Sequence, residues 1–336
     1  DIRGREGILR VHMKKTPLAN DVDPVILAKG TPGFSGADLE NLVNEAALLA
    51  AKRDHEKLTM KDFEDSKDKV YMGLERKSKV IKEEEKKTTA YHEGGHALVA
   101  RFLPKTDAVN KITIIPRGRA AGVTWFLPEE GDFKYKDQLE NELAIAFGGR
   151  VAEEIIFKRI STGASNDIKQ ATKLANSMVR TFGMSDNLTP LSYENHDDNI
   201  FIGREMTQAK AYSEDTARKI DAEVSLIIDR AFQTAKKVLK ENMDILHALT
   251  DLLIEKETVL GPELDDLIAS MRPDFDFFGK KNVATPPEPS VESENEKKPE
   301  ASDADDIEII DEDEAVLGDD NDEDQTADDT NKEGSD

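Results

Sequence analysis

The stretch TTAYHEGGHALVA, Thr88–Ala100, decides how the rest of this chain is read. Ala90, Ala97, Leu98 and Val99 are apolar and flank two histidines four residues apart, the pattern of a buried helix. On such a helix His92 and His96 lie one above the other on one face, so both imidazoles reach one ion. Glu93 is rotated by about 100° from His92, which rules it out as a third ligand from this helix but lets it reach a metal-bound water. A metal held by two histidines acidifies that water and polarises a carbonyl, and the glutamate takes the proton. The plainer alternative is a pair of hydrogen-bonded core histidines with no ion. Gly94 and Gly95 each cost about 1 kcal/mol against alanine in a helix interior. Their presence predicts close approach by a backbone, a substrate or another helix.

A third ligand is needed. His12, His55, His196 and His247 lie far off in unrelated patterns. Glu153 and Glu154 in GRVAEEIIF and Asp167 in STGASNDIKQAT are better candidates. A glutamate on a facing helix and an aspartate at a helix head are equally reasonable, and Asp167 also reads as an ordinary capping or first-turn acid. The chain has no cysteine, so disulfides and thiolate metal sites are excluded.

Before this stretch the sequence reads as small helices. GFSGADLENLVNEAALLAAKR carries a broad apolar stripe from Leu39 to Ala50 behind a capping Ser35, and Thr59 with Asp62 opens another helix. After it, KITIIP and GVTWFLP alternate as two strands around the turn-rich RGRAAG. QLENELAIAFGGRVAEEIIF is helical, and a loop capped by Ser165 or Asn166 leads into the next helix. Ile220, Val224, Ile227, Ala231, Thr234 and Val238 keep a three–four rhythm through a long helical region, predicting helix packing, including between subunits. The fold class is mainly α with a small β element. Residues 1–75 form a helical lid-like bundle, 76–87 a charged linker or helix entry, 88–275 a mostly helical metal-hydrolase domain, and 276–336 a disordered acidic tail.

The net charge of -24 is unevenly placed: residues 291–336 hold 21 Asp and Glu against 3 Lys. The rest is only mildly acidic and has no concentrated basic patch, so no nucleic-acid partner is expected. No run approaches 18 apolar residues, so no segment is expected to span a membrane. The start, DIRGREGILR, has neither Met nor a signal-peptide pattern, which suggests a piece of a longer protein.

Seven stretches in order, GTPGFSGADLENLVNEAALLAAKR, AYHEGGHALVA, ITIIPRGRAAGVTWFLP, FGGRVAEEIIF, STGASNDIKQAT, MVRTFGMS and NMDILHAL, resemble the FtsH family of membrane-anchored, ATP-dependent AAA+ zinc metalloproteases. The resemblance covers residues 1–272 and is nearest to the bacterial form. It implies that His92, His96 and Asp167 bind Zn2+, that Glu93 is the catalytic base, and that Gly36 and Ala37 face the nucleotide from the lid. Glu153 and Glu154 then have supporting roles. It also implies a homo-hexamer, unfolded or membrane protein substrates, regulatory membrane partners, and ATP with Mg2+ in the full-length protein. The full-length protein is expected in the bacterial inner membrane with this part cytoplasmic, hence a membrane and transmembrane character; the chain itself is expected to be soluble. No GxxxxGK[ST] motif occurs, so the ATPase core is not in this chain. The function implied is a zinc endopeptidase that degrades unfolded, membrane and short-lived regulatory proteins, with metal-bound water attacking the peptide carbonyl. The alternatives are an inactive oligomerisation module and a metal hydrolase of non-peptide substrates. ITIIP is a candidate edge for binding extended substrate.

Overall fold

The computed structural model describes residues 1–75, 82–118, 120–128, 131, 133–193 and 212–278. Almost all of the acidic tail therefore lies outside the described residues. The first four helices, α1 (Ile2–Met13), α2 (Pro24–Lys29), α3 (Gly36–Lys52) and α4 (Met60–Met72), enclose a core of Leu9, Leu27, Leu39, Leu42 and Phe63. Their starts are written locally. Asp23 caps α2 with Pro24 in its first turn, and Ser35–Asp38 and Thr59–Asp62 form capping boxes on α3 and α4.

The second core is larger and is built around α5 (Glu83–Phe102). The charged residues 83–87 are thus the first turns of that helix. Strands β1 (Ala108–Thr113) and β2 (Val123–Leu127) follow, then α6 (Lys136–Phe157), α7 (Ser165–Arg180), α8 (Glu214–Glu241), α9 (Met243–Lys256), β3 (Thr258–Leu260) and α10 (Gly261–Met271). The class is as expected: mainly helical with one small sheet. The packed chain runs past position 276, since Phe277 is buried beneath Arg101, whose guanidinium lies 4.8 Å from the ring centroid.

Three expectations change. The sheet is antiparallel in the order β2-β1-β3. Ile112 and Thr113 of ITIIP therefore sit on the central strand, with both sides taken, and the open edges belong to β2 and β3. The periodic stripe on α8 packs inside its own chain: Ile220, Val224, Ile227, Ala231 and Val238 are buried in the second core. The membrane and transmembrane character fails for this chain: no described helix is long and apolar enough to cross a membrane. The longest helix among the described residues, α8, is amphipathic and carries charges along its outer face.

The two cores meet at a small contact. Lys111 on β1 lies 2.7 Å from Asp68 on α4, both buried. The ring of Tyr71 lies between Phe34 and Trp125 of β2 at tilted angles, with centroids 4.5 and 5.0 Å away.

Candidate metal centre

Helix α5 crosses α6 at backbone contact. A Cβ added to Gly95 would stand 2.4 Å from the carbonyl oxygen of Gly148, and one added to Gly148 would stand 2.6 Å from that of Gly95. No side chain fits between them, which explains the helix-interior glycine at Gly95. Gly94 meets only ordinary contacts with Leu246 and Leu249, the nearest at 3.4 Å. Gly149 leaves the space that the His92 ring fills: a Cβ there would lie 2.6 Å from ring atoms. The crossing also supplies the histidines with hydrogen-bond acceptors. His92 Nδ1 is 2.7 Å from Glu153 Oε1, and His96 Nδ1 is 2.7 Å from the carbonyl oxygen of Ile145.

Those contacts fix the protons. A backbone carbonyl only accepts, so His96 Nδ1 carries hydrogen and, in the neutral ring, Nε2 presents a lone pair. Glu153 does the same for His92. The two Nε2 atoms then face each other at 3.1 Å, and Asp167 Oδ2 stands 3.2 Å from one and 3.7 Å from the other. Three bases converge on one point, an arrangement that calls for a cation. Zinc bonds to nitrogen and oxygen of about 2.0–2.2 Å give a tetrahedron with edges of roughly 3.3–3.6 Å, and the three separations straddle that length. The donor set fits zinc.

The electrostatics agree. Burial works against a charged His92, but hydrogen bonds to Asp167 and Glu153 outweigh it and push its pKa up to about 10. Burial likewise works against ionised Asp167 and Glu153, yet both carboxyls are held below their ordinary values. For Asp167 the histidines do this, and for Glu153 His92 with Ser161. The pocket is set to hold positive charge, and a divalent ion competes with the proton for it. Glu93 is the opposite case: burial drives its pKa up, against the pull of His96 and His92.

Of the residues singled out in the sequence, His92, His96 and Asp167 come together as one cluster, their ligand atoms all within 4.8 Å. Glu153 stands behind His92, and Glu154 faces away to pair with Lys236 at 2.9 Å. Gly36 and Ala37 are exposed in the first turn of α3 on the lid and take no part in the cluster. Neither Ser165 nor Asn166 caps α7. The capping position is Ala164, whose side chain makes no hydrogen bond. Reasoning from sequence missed the Ile145 carbonyl and Thr124, whose Oγ1 lies 2.8 Å from Glu93 Oε2. No local pattern marks either one.

A helix that lends two imidazoles to a point where a carboxylate from another helix joins them, each ring anchored from behind, defines the zinc metallopeptidase class. Comparison with known proteins narrows this. Residues 79–267 match the model of peptidase family M41 and residues 21–65 that of an AAA+ lid domain. The chain belongs to peptidase family M41, the FtsH family. It is 54% identical over 271 residues to the ATP-dependent zinc metalloprotease FtsH of Buchnera aphidicola subsp. Baizongia pistaciae, covering 80% of this chain and 44% of the relative. The FtsH of Cupriavidus metallidurans is 55% identical over 274 residues, with 81% and 42% covered. That of Magnetococcus marinus is 50% identical over 304 residues, with 88% and 45% covered. The chain spans less than half the length of these relatives.

Proposed function

We propose that this chain is the peptide-cutting part of an ATP-dependent zinc protease, an endopeptidase acting on unfolded polypeptides. The convergence of His92 Nε2, His96 Nε2 and Asp167 Oδ2 carries the reading. Zinc, when bound, supplies a Lewis acid that polarises the scissile carbonyl and raises the acidity of water. His92 and His96 hold it through Nε2, with their rings locked by Glu153 and Ile145. Glu93 takes a proton on its carboxylate and delivers it to the leaving amine. Its burial supports this role, because a raised pKa brings a carboxylate nearer to working pH. The open edge of β2, which touches Glu93 through Thr124, receives substrate as an added strand.

In this reading Gly36 and Ala37 face the nucleotide, ATP with Mg2+ acts in the full-length protein, the chain assembles as a homo-hexamer, and this part works in the cytoplasm. Metal analysis with cleavage of an unstructured peptide tests the chemistry. Wild type and Glu93→Gln should each hold about one zinc per chain, and only wild type should cut. Normal cleavage by Glu93→Gln would remove the base assignment. Full zinc with no cleavage by wild type would favour an inactive assembly module. Sedimentation tests the hexamer, and a monomer at high concentration counts against it.

A further inference from the structure

We propose that Gly122 and Thr124 of the β2 segment form a clamp that aims Glu93, with Thr124 a positioning residue for the reaction. The proposal rests on the reading of Glu93 as the base. Glutamate has three side-chain torsions, and a base on α5 must hold all of them to meet its proton in one place. Two contacts do this, one at Gly122 just before β2 and one at Thr124 within it. The stem of Glu93 lies flush against Gly122, where an added Cβ would stand 2.9 Å from Glu93 Cγ and 2.8 Å from both the Thr113 carbonyl oxygen and Thr89 Cγ2. The backbone of Gly122 has no positive φ, so the glycine is there for space and not for conformation. The head is held by Thr124, whose hydroxyl stands 2.8 Å from Glu93 Oε2 and 3.1 Å from the Glu93 carbonyl oxygen. A hydroxyl has one proton, and the shorter contact to the charged group is the stronger. One carboxylate oxygen is thereby tethered and the other is left to handle the proton.

The strand alternates, so the residue after Thr124 faces the other way. Trp125 packs on Tyr71 of the lid while Thr124 reaches Glu93. The clamp is therefore mounted on a strand braced from its far side.

Thr124→Val keeps the shape and deletes the hydroxyl, and Thr124→Ser keeps the hydroxyl. Both are compared with wild type and Glu93→Gln for zinc content, kcat and KM on an unstructured peptide, and affinity for a peptide hydroxamate, which reads the aim of Glu93 without turnover. Thr124→Val should hold full zinc and keep KM within about twofold, with kcat lowered by about tenfold or more. Thr124→Ser should recover most of that loss. Hydroxamate affinity should fall in Thr124→Val and in Glu93→Gln but not in Thr124→Ser, and this decides the matter if turnover is too slow to measure. A valine variant with wild-type kcat and hydroxamate affinity, beside an inactive Glu93→Gln, overturns the clamp. So does a serine variant as impaired as the valine one, or zinc lost with the hydroxyl. Cleavage by Glu93→Gln overturns the base reading itself, so the two failures are distinct.

Discussion

Asp38 and Asp167 hold the same place, the third residue of a helix, and do opposite things. On α3 the capping residue is Ser35, with an extended backbone at ψ 170. Asp38 turns back to it and accepts from its backbone N–H at 2.9 Å and its hydroxyl at 2.7 Å. On α7 the capping residue is Ala164, with ψ 7 and no side-chain hydrogen bond to offer. Asp167 has no partner behind it and reaches across to His92 and His96. A carboxylate in the first turn gains from the helix dipole in either case. Whether it serves its own helix or a distant site is decided one turn earlier, by the residue at the cap.

The largest break in this comparison is Asp167→Ala. It should weaken zinc binding by at least about 100-fold, measured by competition with a chelator, while Asp38→Ala leaves zinc untouched. Full zinc occupancy in Asp167→Ala would return the third position to Glu153. Glu153→Gln should cost less, about tenfold or somewhat more, because it loosens His92 without deleting a donor.

The third test extends the capping side to α4, where Asp62 repeats the position of Asp38. Asp62 is fully buried and accepts from Thr59, His55 and Arg53. Burial would raise its pKa, but these hydrogen bonds win and hold the carboxyl well below the usual range. A depressed carboxyl stabilises the fold above its unfolded pKa of about 3.9, and that share is lost as pH falls through the lower folded value. Asp62→Asn should therefore cost the lid about 2 kcal/mol at neutral pH. The cost should shrink in strong acid, in urea unfolding followed by the fluorescence of Trp125. A cost independent of pH would mean that charge is not what Asp62 contributes. Smallest is Ser35→Ala, with a loss of about 1 kcal/mol by the same measurement and unchanged zinc.

The two helix starts also mark what the sequence could reveal. The cap at Ser35 and the pairing of Thr59 with Asp62 were legible because they are local, within four residues; the return contact of Asp38 to Ser35 came from the structure. His92, Glu93 and His96 were legible for the same reason, since one helix turn sets their geometry. Asp167 was not separable from Glu153 and Glu154 on physical grounds, and the family resemblance favoured it. Its partners are 75 and 71 residues away in sequence, and what brings them together is the α5–α6 crossing and the turn before α7. The open sheet edge was misplaced for a similar reason. β3 arrives from position 258, and only the tertiary fold puts it beside β1 and leaves β2 open.

The glycine crossing has one more consequence. Most helix contacts are set by side chains, whose rotamers let the spacing drift when a neighbour is repacked. Between Gly95 and Gly148 the touching surfaces are main-chain atoms, which have no rotamers. The crossing is a datum in the machinist's sense, a hard face from which other positions are measured. His96 is one residue from it on one helix, and the Ile145 carbonyl that fixes its ring is three residues from it on the other. Exchange of apolar residues elsewhere in the second core should therefore cost stability well before it moves the His92, His96 and Asp167 cluster, so the geometry of the metal centre tolerates drift in the core around it.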